Sequence, residues 1–163
     1  MRLVEVVGLG PSGAAFLRAY GGGRGVERSR RYFKACPTTP IREVARLMSQ
    51  RGVGLVVLVD PKDPNRIVGV VSERDVVRAV AYDVALDAAV DTIATKTVIT
   101  LEHDEPAARA AEVFRRYGIR HVVVTKDERL YGVLSIRDLI REEAVLREIA
   151  EYYEWTFEPG MSA

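Results

Sequence analysis

Two copies of one β-α-β-β-α unit, packed sheet against sheet as a pseudo-two-fold pair in an α+β fold, are what this sequence predicts. Three observations carry the expectation. The phrase Gly69-Val70-Val71-Ser72-Glu73-Arg74-Asp75 returns as Gly132-Val133-Leu134-Ser135-Ile136-Arg137-Asp138. The helical stripe Ile41, Val44, Ala45 and Met48, preceded by Pro40 and followed by Gly52, returns 66 residues later as Ala107, Ala110, Ala111 and Phe114 between Pro106 and Gly118. Each copy, at roughly 45 to 60 residues, is near the size at which a lone core is marginal, so the two should share one.

Residues 1–30 read as a leader. Val4 to Ala15 imitates the opening of a dinucleotide-binding fold, an apolar strand followed by G-x-G-x-x-G, but Gly21-Gly22-Gly23-Arg24-Gly25 breaks the pattern and no second strand ending in an acid follows. Arg24, Arg28, Arg30, Arg31 and Lys34 are read as a solvated helix face. The first unit, 31–82, starts near Tyr32. Thr39 is placed to cap a helix that begins at Pro40, where a missing N–H costs nothing, and Gly52 to end it in a left-handed turn. A buried strand Val53–Val59 and a turn Asp60–Arg66 lead to a second strand, Ile67–Val71, and a helix opening at Ser72.

In the linker, 83–95, Asp87 is expected to cap a short helix, Ala88–Ala94. The second unit, 96–141, repeats the first with Ile119–Thr125 as its central strand. Its following turn is three residues shorter, so the offset falls from 66 to 63 at Gly132. Loss of three residues in one turn, with register kept on both sides, is how a duplicated unit behaves. Over 142–163 the last helix is expected to continue through Leu146, Ala150 and Tyr153 and to end in an aromatic group, Tyr152, Tyr153, Trp155 and Phe157, too apolar to be left in water.

Composition narrows the function. The 163 residues are 48% hydrophobic and carry a net charge of +1, so nothing global points to nucleic acid. No run of eighteen apolar residues and no signal-peptide pattern is present, and Cys36 has no intrachain partner, which together suggest a cytoplasmic protein. Side-chain amides are limited to Gln50 and Asn65, a scarcity that suits a hot environment. One cysteine and two dispersed histidines, His103 and His121, form neither a nucleophilic triad nor a closed metal set, so no catalysis and no metal are expected. Cys36 is read as a small buried hydrophobe.

The doubled Gly-x-x-Ser-x-x-Asp phrase, the two Pro-helix-Gly-strand runs and the entry Ala94-Thr95-Lys96-Thr97-Val98-Ile99-Thr100 resemble the tandem CBS-domain pair, or Bateman module, over about Tyr32 to Arg141. The resemblance implies clefts between the units that bind adenosine-containing ligands (AMP, ADP, ATP or S-adenosylmethionine) and regulate a partner protein, in a homodimer shaped as a flat disc. It places the ribose-binding carboxylates at Asp75 and Asp138, the hydroxyls before them at Ser72 and Ser135, and phosphate-facing basic positions at Arg120 and His121. The corresponding positions of the first unit are Gly54 and Leu55, so one well-equipped phosphate cleft and one poorer one are expected.

Physical chemistry supports these roles and offers plainer ones. An ionised carboxylate accepts hydrogen bonds from vicinal ribose hydroxyls strongly and selectively, yet Ser-x-x-Asp is also a capping box, and the two roles are compatible. Arg120 and His121 interrupt an apolar strand, on opposite faces by alternation; the plain reading is a solvated arginine and a histidine satisfied by a carbonyl. Arg137 belongs to the same phrase as Ser135 and Asp138. Lys96 and Thr97 stand at the cleft mouth, while Val98, Ile119 and Val133 offer an apolar slot for adenine or simply belong to the core. The competing function is a ligand-independent dimerisation scaffold.

Overall fold

A computed structural model describes residues 4–6, 32–105, 107–140, 147 and 150. The first unit comprises β2 (Tyr32–Ala35), α1 (Ile41–Arg51), β3 (Leu55–Asp60), β4 (Asp63–Ser72) and α2 (Glu73–Ala81). The second comprises β5 (Thr100–Glu102), α3 (Ala107–Tyr117), β6 (His121–Lys126), β7 (Arg129–Ser135) and α4 (Ile136–Ile140). A further strand, β1 (Val4–Val6), makes the first sheet four-stranded in the order β1-β2-β3-β4; the second is β5-β6-β7. Because β1 runs antiparallel to β2, it cannot be the first strand of a βαβ dinucleotide fold, whose strands are parallel. The rest of the leader, Pro106 and the aromatic C-terminal stretch lie outside the described residues.

The two hairpins repeat one another residue by residue. Leu55 pairs with Ser72 and Leu58 with Gly69; His121 pairs with Ser135 and Val124 with Gly132. Immediately after each glycine pair the register slips, leaving Val68 in one unit and Tyr131 in the other without an opposite residue, so even the β-bulge was duplicated. A second slip, found only in the first hairpin, accommodates Pro64, Asn65 and Arg66, the three residues that the second unit lacks. These extra residues cover Lys34, whose Nζ donates to the Pro64 carbonyl at 2.7 Å and to Asn65 Oδ1 at 3.1 Å. Lys34 is therefore a buried strand residue and not part of a solvated helix face, and burial lowers its pKa while Asp63 opposes the shift.

Helix α1 buries Ile41, Val44, Leu47 and Met48 and stops at Gly52, whose φ of 63° is cheap only for glycine; Gly118, with φ 62°, ends α3 in the same way. Its start differs from the expected Thr39 cap. Pro40 is the N-cap and makes no side-chain hydrogen bond, while the Ile41 and Arg42 N–H groups donate to the Ala88 and Leu86 carbonyls at 3.0 and 2.9 Å. The linker backbone thus caps α1, and this corrects the linker as well. With those carbonyls turned to α1, the stretch around them closes a tight turn, the Ala88 N–H donating to the Ala85 carbonyl at 2.9 Å, and the short 3-10 turn Val90–Thr92 follows in place of a helix. Asp87 caps nothing and pairs with Arg42 at 3.1 Å.

Among the described residues three apolar clusters form. One lies between α1 and the first sheet around Phe33, Ile41, Val56 and Val71, and another between α3 and the second sheet around Val113, Phe114, Val122 and Leu134. The third, between the sheets, joins Tyr32, Val57, Ile67 and Val70 to their repeat counterparts Val98, Val123, Leu130 and Val133. Each fully buried valine here contributes about 1.5–3 kcal/mol relative to exposure, so the shared layer makes the two units one folding body. At its margin Arg129 Nη2 donates to Asp63 Oδ1 at 2.8 Å, an ion pair between positions 66 apart. Cys36 is half-buried, more open than expected.

Candidate functional site

The shared layer brings the ends of β4 and β7 side by side, and the two Ser-x-x-Asp turns that follow open onto one continuous cavity of about 640 Å³. Two separate clefts were expected; the structure gives one cavity with two halves.

Each half is built by a helix beginning directly at a strand end. At Ser72 the backbone is extended (φ −105°, ψ 163°) before turning into α2, and a full capping box forms. The Ser72 N–H and hydroxyl donate to Asp75 Oδ2 at 2.8 and 2.6 Å, and the Asp75 N–H donates to Ser72 Oγ at 3.4 Å. The other Asp75 oxygen, Oδ1, lies 3.6 Å from Arg78 Nη1. In the second half the Ser135 N–H donates to Asp138 Oδ2 at 2.8 Å and the Arg137 N–H to Ser135 Oγ at 3.2 Å. Capping and cavity lining therefore coexist in both aspartates, because each caps through Oδ2 while its carboxylate borders the cavity.

One backbone bond fixes both turns in the same place. The Glu73 N–H donates to the Gly54 carbonyl at 3.1 Å, and the Ile136 N–H donates to the Arg120 carbonyl at 2.9 Å. Arg120 and Gly54 are thus structural counterparts, as are Ile136 and Glu73. Arg120 precedes β6 and His121 is its first residue, so strand alternation does not separate them and both line the cavity, against the opposite-face expectation. His121 crosses to the first unit. A Cβ on Gly54 would come within 2.7 Å of His121 Cε1 and 3.3 Å of Glu73 Oε2, so any larger residue at 54 requires the His121 ring to move and the Glu73 carboxylate to give slightly. Burial is the main reason that the His121 pKa is lowered; Glu73 and Asp138 pull it up, Arg120 and Arg137 push it further down.

Of the other expected residues, Arg137, Thr97, Val98, Ile119 and Val133 line the cavity. Val98 and Val133 also pack in the layer between the sheets, and Ile119 packs on the second unit's core, so slot and core are the same atoms. Lys96 does not line it. Its ammonium pairs with Asp91, which the short 3-10 turn brings beside it. Residue-by-residue reading missed Glu73, Arg74, Arg78 and Tyr32, all of which border the cavity. The repeat offset could have found Arg74, which corresponds to Arg137, and Tyr32, which corresponds to Val98.

The lining can accept hydrogen bonds from hydroxyl groups at Asp75 and Asp138, hold an anion among Arg120, Arg137 and Arg74, and enclose a flat apolar group. Among the described residues no group of histidine, cysteine and carboxylate side chains could hold a metal ion, and no helix is long and apolar enough to cross a membrane.

Comparison with known proteins agrees with this architecture. A CBS domain protein from Pyrobaculum aerophilum complexed with AMP is 47% identical and superposes with a TM-score of 0.70, covering 72% of this chain and 90% of that one. A CBS domain pair in complex with 5′-methylthioadenosine and S-adenosyl-L-methionine is 27% identical, with a TM-score of 0.60 over 66% of this chain and 87% of that one. An uncharacterized 17.7 kDa protein of Acidianus ambivalens is 36% identical over 106 residues, 64% of this chain; the chain spans 63% of that relative's length. It spans 36% of an uncharacterized 33.4 kDa protein of Thermofilum pendens, 32% identical over 111 residues, or 66% of this chain. The family model described as the CBS domain matches residues 28–82 and again 90–145, and with both units accounted for the chain belongs to the CBS-domain family as a tandem pair.

Proposed function

We propose that this chain is a regulatory module that binds an adenine nucleotide, AMP before ADP or ATP, in the cavity between its two units, and modulates a partner protein. The observation that carries the reading is the convergence of Asp138, Ser135, Arg137 and Arg120 on one side of that cavity, a carboxylate for ribose beside two guanidinium groups for phosphate. The AMP complex of the 47% identical relative supports the same choice of ligand. The roles are binding ones, with Thr97, Val98, Ile119 and Val133 enclosing the base. Ligand shifts the balance between arrangements of the units only by its difference in affinity for them, so regulation acts through the sheet-to-sheet contact that the cavity interrupts.

The working form is a cytoplasmic homodimer. Helix α2 and the residue after it leave Val77, Val80 and Tyr82 exposed at 66%, 57% and 76%, an apolar strip suited to a second copy. The same strip favours the scaffold reading, in which dimerisation alone is the function, and calorimetry separates the two. Titration with AMP should give heat and raise the melting temperature, since ligand at a hundred times its dissociation constant adds about 2.7 kcal/mol. Absence of both effects at millimolar AMP, ADP and ATP would leave the scaffold. Sedimentation of a concentration-independent 18.1 kDa monomer would contradict the dimer.

A further inference from the structure

The two halves of the cavity share a backbone and differ in charge. The bond from residue 73 to residue 54, and from 136 to 120, shows that Gly54 stands where the second half has Arg120 and that Glu73 stands where it has Ile136. Moving from the second half to the first therefore removes a cation and adds an anion. The space beside Gly54 is also filled: the Glu73 carboxylate and the His121 ring both stand within 3.3 Å of where a Cβ on that glycine would lie. Arg78 stands 3.6 Å from Asp75 Oδ1 and offsets that carboxylate's own charge, and its repeat counterpart is again an arginine, Arg141, which lies outside the described residues. Arg74 and Arg137 are counterparts and do not discriminate.

We propose that the two halves select opposite charge: the Asp138 half takes the nucleotide, and the Asp75 half takes an adenosine whose 5′ position carries no negative charge. This inference rests on the adenine-nucleotide reading above and assigns a ligand class to each half. Asp75 retains what a ribose needs, since its carboxylate borders the cavity and is held in place by the capping box. A 5′-phosphate in that half would meet the Glu73 carboxylate with no arginine at position 54 to offset it, whereas an uncharged 5′ group meets no repulsion. Glu73 is thus the specificity residue of one half and Arg120 that of the other.

Calorimetry on the full chain, with AMP and adenosine as probes, tests this. The unmodified protein should take one equivalent of AMP, and the AMP-saturated protein should then take one equivalent of adenosine. Glu73→Gln, at an exposed position whose charge alone is removed, should add a second equivalent of AMP; Glu73→Ile, which copies Ile136, should do the same. Arg120→Gln should weaken AMP by about tenfold or more, the loss of one charge-assisted hydrogen bond, and leave adenosine binding at the first half unchanged. Two equal equivalents of AMP on the unmodified protein, or no uptake of adenosine after saturation with AMP, would overturn the assignment while leaving nucleotide binding intact. No AMP binding at all would overturn the nucleotide reading and this inference with it.

Discussion

The two units differ least in the backbone and most in the charges along the line where they meet. Strand pairing, the bulge after Gly69 and Gly132, and the left-handed helix ends at Gly52 and Gly118 are duplicated. The side chains facing the pseudo-dyad are not. Asp63 pairs with its own counterpart Arg129, and His121, counterpart of Leu55, lies over Gly54, counterpart of Arg120. In a strict dimer of identical units each position near the axis meets a copy of itself, and a charge there meets its like. Duplication within one chain lifts that constraint, so an aspartate can face an arginine and one half of a cavity can carry Arg120 while the other carries a second carboxylate, Glu73.

The equivalence of the two units is tested most severely in their cores. Phe114 and Met48 occupy the same repeat position and are both 4% exposed. Phe114→Ala should cost about 3–5 kcal/mol and Met48→Ala about 2–5 kcal/mol. Because the layer between the sheets is common to both, chemical denaturation should show one transition in each variant; two separate transitions would mean that the units fold independently. The glycine ends should respond equally. With open space around both and positive φ at both, Gly52→Ala and Gly118→Ala should each lose about 1–2 kcal/mol, and a large inequality would show that the repeat's backbone symmetry is not matched in energy.

Smaller effects probe the line of contact. A double-mutant cycle on Asp63 and Arg129 should yield a favourable coupling weaker than the glycine effects and diminished by salt, because both side chains are partly open to solvent. Exchanging the two residues should restore most of it, as the pseudo-dyad puts them at equivalent places. His121 adds a pH dependence. Its folded pKa lies below the ordinary histidine value of about 6.5, so the unfolded chain binds the extra proton first and stability falls as pH drops below that value toward the lower folded pKa. His121→Asn should flatten this slope in thermal melts, and an unchanged slope would place its origin elsewhere.

Much of this was legible in the sequence because duplication writes its own alignment. The offset of 66, falling to 63, located the glycine ends and both Ser-x-x-Asp turns without any reference to packing, and the central strands to within two residues; β4, however, begins at Asp63, inside the stretch read as a turn. What escaped were features made by contacts between distant segments. Nothing local in Leu86, Asp87 and Ala88 shows that two of their carbonyls cap α1, so the linker read as a helix with Asp87 at its start. Lys34 read as surface because its partners, Pro64 and Asn65, belong to the very insertion that the repeat comparison sets aside. Lys96 read as a site residue because Asp91 approaches it only through a turn that composition does not announce. Alternation separated Arg120 from His121, but alternation holds only within a strand, and β6 begins between them.

The account stands on an ionised carboxylate gripping ribose in the second half of the cavity. Asp138→Asn is the direct test, because an amide oxygen can still accept the Ser135 N–H, so the turn is preserved while the charge is removed. AMP titrated into this variant should bind about tenfold or more weakly with the melting temperature of the free protein nearly unchanged. AMP affinity equal to that of the unmodified chain would contradict the account.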